Sequence, residues 1–119
     1  MDDDPDVIRL AQRALAQGGY LVDETTSGLR AMHSIEQNPP DLIVLDLVMP
    51  KPDGMDILKA LRARPQTASV PVLVLTALDD EQSVQACFEI GATDYLTKPF
   101  SIPQFAARVR ACLMRARVA

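Results

Sequence analysis

Five side chains in this sequence could do chemistry together: Asp2, Asp3, Asp46, Thr76 and Lys98. Asp46 follows the apolar run Leu42-Ile43-Val44-Leu45, Thr76 follows Val70–Leu75, and Lys98 follows Asp94–Thr97. The C-terminal ends of buried strands are where open α/β sheets place their ligand sites. Carboxylates brought together repel one another and raise each other's pKa. A hard divalent cation makes such a cluster favourable, and Mg²⁺ takes oxygen ligands while keeping several waters. A lysine and a hydroxyl beside the carboxylates add donors that hold a phosphoryl group. Aspartate can attack phosphorus to give an aspartyl phosphate. That transfer needs in-line positioning, a metal and an opposing cation. Each residue also has a plain structural reading. Asp46 could cap a strand–loop junction, Thr76 could be a strand-end hydroxyl, and Lys98 a solvated charge.

These residues need a scaffold that brings distant positions to one edge. Asp2-Asp3-Asp4-Pro5 reads as a helix start, with proline in the first turn and acid ahead of it. Val7, Ile8, Ala11, Ala14 and Leu15 continue at helical spacing to Gly18-Gly19. Tyr20-Leu21-Val22 is a short strand candidate. Thr25–Gly28 precedes a second helix carrying Leu29, Met32 and Ile35, stopped by Asn38-Pro39-Pro40. A strand over roughly 41–46 leads into the loop 47–54, which holds two prolines and Asp53-Gly54. A third helix carries Met55, Ile57, Leu58 and Leu61 and ends around 62–65. Residues 70–76 form another apolar strand. Asp79-Asp80-Glu81 opens a fourth helix whose apolar face takes Val84, Ala86 or Ile90, Cys87 and Phe88, closed by Gly91. After the strand 94–97, a last helix carries Ile102, Phe105, Ala106, Val109, Cys112 and Leu113. Arg108, Arg110, Arg115 and Arg117 fall on its exposed side as complements to the helix dipole. Strands alternating with helices imply a parallel sheet with right-handed crossovers and helices on both faces.

Several function classes drop out. The chain has 119 residues, 48% hydrophobic and 24% charged, which suits one soluble domain over 1–119. A net charge of −4 argues against direct nucleic-acid binding. No apolar run reaches the length of a membrane span, and the acidic N-terminus is no secretory signal. A cytoplasmic location is expected, with Cys87 and Cys112 as reduced, half-buried thiols. His33 is the single histidine, which disfavours a His-based metal site or a Ser-His-Asp triad.

Five motifs then carry a family resemblance. Asp2-Asp3-Asp4-Pro5, Leu45-Asp46-Leu47-Val48-Met49-Pro50 with Asp53-Gly54, Leu75-Thr76-Ala77, and Tyr95-Leu96-Thr97-Lys98-Pro99-Phe100 resemble the receiver domain of two-component response regulators. The resemblance covers almost the whole chain. It implies a doubly wound, flavodoxin-like parallel sheet of order 2-1-3-4-5. Asp46 would be the phosphoacceptor, charged from a phosphohistidine on a sensor histidine kinase or phosphotransfer protein. Asp2, Asp3, Asp46 and the backbone carbonyl of Val48 would hold Mg²⁺, with Asp3 preferred to Asp2 as the direct ligand. Thr76 and Lys98 would bind the phosphoryl group, Tyr95 would be the aromatic switch, and Lys98–Pro99 would be cis. Val48 and Leu78 would flank the path of the hydrolytic water, and their apolar character implies slow autodephosphorylation.

In one respect the sequence departs from the family. Met1 stands where the last residue of the family's first strand would be, so that strand is missing or replaced. A gap in the middle of a sheet implies low stability, mobile Asp2 and Asp3, weak metal affinity, and a homo-oligomer that compensates. The function expected is a phosphoaccepting signalling switch and not an enzyme, beyond Mg²⁺-dependent self-phosphorylation from phosphodonors and slow autodephosphorylation. It would present residues 80–116 to a downstream effector. The main alternative is a phosphorylation-independent interaction module of the same fold. An aspartyl phosphatase is disfavoured because Val48 stands where a second Asp is usual. A flavin protein is disfavoured because the acidic start would repel a phosphate.

Overall fold

A computed structural model describes residues 1–50 and 52–118, with the side chains of 116–118 outside the description. Lys51 of the 47–54 loop and the side chain of Arg117 therefore lie outside the described residues.

Strands and helices alternate after the first two helices. In chain order they are α1 (Pro5–Gln17), α2 (Gly28–Gln37), β1 (Ile43–Leu45), α3 (Gly54–Ala63), β2 (Val72–Thr76), α4 (Glu81–Ile90), β3 (Asp94–Thr97) and α5 (Ile102–Val118). Local chemistry sets most of the helix starts. Asp4, Ser27, Asp53 and Asp80 each accept a backbone N–H at an N-cap, and Asp53 with Asp56 completes a capping box. Among the described residues the sheet has three parallel strands in the order β1-β2-β3, with Ile43 opposite Val72 and Val74 opposite Tyr95.

The sheet is covered on both sides, as the continuous apolar runs demand. Val72 and Val74 face a core built with Ile35 of α2, Ile57, Leu58 and Leu61 of α3 and Cys87 of α4. Leu73 and Leu75 face the opposite core, with Ala14 of α1 and Phe105, Val109 and Cys112 of α5. Alternation along one strand thus serves two cores.

Four details differ from the sequence reading. The strand expected over 41–46 is limited to Ile43–Leu45, because Asp41 is exposed and Asp46 turns into the loop. No strand forms at Tyr20–Val22. Leu21 is fully exposed, and the chain meets the N-terminal segment further on, where Thr25 O accepts the Asp2 N–H at 3.3 Å. Phe88 lies outside the core, because α4 buries Cys87 alone and the next residue points away. Both thiols are fully rather than half buried, and both are free.

The N-terminus is tied to the sheet. The Met1 α-amino group donates to Val44 O at 2.7 Å, and the Asp46 N–H donates to Met1 O at 2.9 Å. Those two bonds are the pattern of one parallel rung beside β1. Asp2 is consequently fixed and buried, where the sequence implied mobility.

Candidate functional site

The ends of the parallel strands converge on Asp2, Asp46, Thr76 and Lys98. β1 delivers Asp46, which is 5% exposed, and the Met1 rung delivers Asp2, which is 4% exposed. β3 delivers Lys98 beside β2, where the Lys98 N–H donates to Thr76 O at 2.8 Å. The next peptide bond, Lys98–Pro99, is cis, as the resemblance implied.

Lys98 is the centre of the charge arrangement. Its Nζ donates to Asp2 Oδ2 at 2.8 Å and to Asp46 Oδ2 at 3.2 Å. Burial opposes its charge, yet the two carboxylates outweigh that and raise its pKa above the ordinary lysine value. The remaining oxygens are also engaged: Asp2 Oδ1 accepts from Asp4 N–H at 2.9 Å, and Asp46 Oδ1 from Val48 N–H at 3.2 Å. The Met1 α-amino group also lies here, and desolvation lowers its pKa below the ordinary value.

Asp2, Asp3 and Asp46 each offer a carboxylate oxygen, and these lie within 4.8 Å of one another. Asp3 is exposed and Asp2 buried. The donor set is all oxygen, which suits Mg²⁺ better than a softer metal.

Thr76 is fully buried, and its Oγ1 accepts from Leu78 N–H at 3.4 Å. Tyr95 is 8% exposed, and its hydroxyl donates to Leu78 O. Desolvation pushes its phenol up to about 12, so it stays a donor at neutral pH. Leu78 therefore joins Thr76 to Tyr95 through backbone atoms. Val48 and Leu78, 55% and 36% exposed, stand at the rim.

Asp2, Asp3, Asp46, Thr76 and Lys98 thus meet at one edge as the sequence suggested, while His33 is exposed on α2. The sequence did not single out Arg62. Its signal was faint: an arginine in the last turn of a helix, followed by a polar turn. Nor do Arg108 and Arg115 of α5 serve its own C-terminus. Arg108 donates to Asp94 Oδ1 at 3.0 Å and Arg115 to Thr93 O at 2.9 Å, so both clamp the start of β3.

A family model described as "Response regulator receiver domain" matches residues 1–110. The transcriptional regulator RpaA of Synechocystis is 44% identical over 115 residues, which is 97% of this chain and 48% of that protein. The alkaline phosphatase synthesis regulator PhoP of Bacillus subtilis is 42% identical over 119 residues, all of this chain and 49% of that protein. The chain spans about half the length of these curated relatives. Among solved structures, a putative response regulator from Chloroflexus aurantiacus aligns with a TM-score of 0.91 at 38% identity, covering 97% of this chain and 94% of that one. The BeF3-activated N-terminal receiver domain of Klebsiella pneumoniae RstA aligns with a TM-score of 0.85 at 34% identity, covering 94% and 93%.

Proposed function

The chain belongs to the response regulator receiver domain family, and from that premise we propose that it is a phosphoaccepting switch with Asp46 as the acceptor. The observation that carries this reading is Lys98 Nζ bridging Asp2 and Asp46, two buried carboxylates at neighbouring strand ends. Such a bridge is costly to bury for stability alone, since replacing buried ion pairs by apolar groups is often neutral or favourable.

In the proposed cycle, Asp46 attacks the phosphorus of a phosphohistidine on a sensor kinase or phosphotransfer protein. The histidine nitrogen leaves as the new O–P bond forms. Lys98 passes from the free carboxylate to the phosphoryl oxygens, and the Thr76 hydroxyl donates to another of them. Asp2, Asp3, Asp46 and the Val48 carbonyl would hold Mg²⁺, which supplies charge neutralisation at the phosphoryl oxygens. Movement of Thr76 passes through Leu78 to Tyr95 and so to the face formed by α4, β3 and α5. That face would meet an effector through residues 80–116. The relatives are transcriptional regulators twice this length, which supports a DNA-binding output outside this domain.

Incubation with acetyl phosphate and Mg²⁺, followed by intact mass, tests the reading. A gain of one phosphate that Asp46→Asn abolishes is the expected result. No gain would leave the phosphorylation-independent module as the better description.

A further inference from the structure

Helix α4 is tied at its C-terminal end. Beneath its N-terminal half lies a cleft of about 460 Å³, lined by Met49, Met55, Leu78, Ser83 and Ala86 among others. Its single buried residue, Cys87, sits in the C-terminal half, with Sγ 3.9 Å from Met55 Sδ. Beyond it, Arg62 from the last turn of α3 donates Nε to Gly91 O at 2.9 Å. The Nη1 of Arg62 reaches Val70 O at 2.7 Å, Ala68 O at 3.1 Å and Thr67 O at 3.3 Å.

All four of these acceptors are backbone carbonyls. The guanidinium therefore joins the segment entering β2 to the end of α4. Its rigid fork of donors suits several acceptors at once, which the single ammonium of lysine does not match. Gly91 is fitted to this tie: its φ is 128°, and a Cβ there would come within 2.9 Å of Arg62 Nε.

We propose that Arg62 is a positioning residue that makes the C-terminal end of α4 a fixed point. Displacement begun at Thr76 and Leu78 then tips the N-terminal end over the cleft and does not carry the helix bodily. The trigger rests on the phosphoacceptor reading; the tie does not.

Amide hydrogen exchange of the unphosphorylated chain tests the tie by itself. Residues 89–92 should exchange more slowly than 85–86. In Arg62→Lys they should exchange about tenfold faster or more, with 85–86, α1 and α5 unchanged. Beryllofluoride with Mg²⁺ tests the trigger. Backbone shifts should be large at 81–84 and small at 89–91, a gradient that flattens in Arg62→Lys. Uniform exchange along α4, or an unaltered profile in Arg62→Lys, overturns the proposal. Should Arg62→Lys fail to fold, the gradient in the native chain decides. An exchange gradient without any beryllofluoride response overturns the phosphoacceptor reading and supports the tie alone.

Discussion

Lys98 stands between two buried carboxylates, and its removal would take from Asp2 and Asp46 the ammonium that both accept from. Unpaired buried groups cost about 1–3 kcal/mol, more when charged, so Lys98→Ala should lower the melting temperature by several degrees without Mg²⁺. Adding Mg²⁺ should recover part of that loss. An unchanged melting temperature in metal-free buffer would sink the idea that Lys98 offsets the cluster. Val48 and Leu78 bear on a different step. Both are apolar and exposed at the rim, so neither can hydrogen-bond a water approaching phosphorylated Asp46. The phosphorylated form should persist for minutes or longer, and Val48→Asn should shorten its life about tenfold, roughly 1.4 kcal/mol of barrier. A half-life of seconds in the native sequence contradicts this account. At this scale the sequence was informative because the site is built from strand-end residues, whose positions follow from the apolar runs before them. Arg62 was not legible, since its partners are backbone carbonyls and carry no sequence signature.

At the scale of elements, the periodic helices and the short strand 94–97 were readable, and Tyr20–Val22 was not. The apolar stripes of α1, α3 and α5 announced themselves, as did the run through Val72–Thr76. Tyr20–Val22 had the composition of a strand, yet a strand exists only with a neighbour to pair with. The turn from β1 into α3 shows how tightly an element can bind the site. Gly54 begins α3 directly against the backbone of Asp46 and Leu47, and its N–H donates to Leu47 O at 3.2 Å. A Cβ there would overlap the carbonyl oxygen of Asp46, a backbone atom that cannot turn aside. Gly54→Ala should therefore destabilise the fold by about 1–3 kcal/mol, as overpacking does. It should also slow phosphate uptake by moving the Asp46 loop. Gly19→Ala is the control for strain without overlap: a Cβ there meets nothing, but its φ of 82° strains a side chain, so stability should fall with phosphate uptake unchanged. Equal phosphate uptake by Gly54→Ala and the native chain would show that the close approach does not position Asp46.

For the whole molecule, the doubly wound arrangement followed from the alternation of elements, while the way Met1 and Asp2 join the sheet did not. Their placement depends on the hydrogen bonds to Val44, Asp46 and Thr25, long-range partners that no local pattern encodes. The result is a molecule of net charge −4 that gathers three carboxylates at one sheet edge against Lys98 and the Met1 α-amino group. The unfolded chain scatters those carboxylates, so a divalent cation that binds the cluster favours the folded state. The linkage amounts to about 2.7 kcal/mol when the free metal is 100 times its Kd. For a domain of this size that corresponds to a rise in melting temperature on the order of 10 °C. Mg²⁺ should therefore stabilise the chain far more than NaCl of equal ionic strength, which only screens. The increment should shrink sharply in Asp46→Asn. If NaCl matched Mg²⁺, or Asp46→Asn kept the full increment, the stabilisation would be general screening and the carboxylates would not form a metal site.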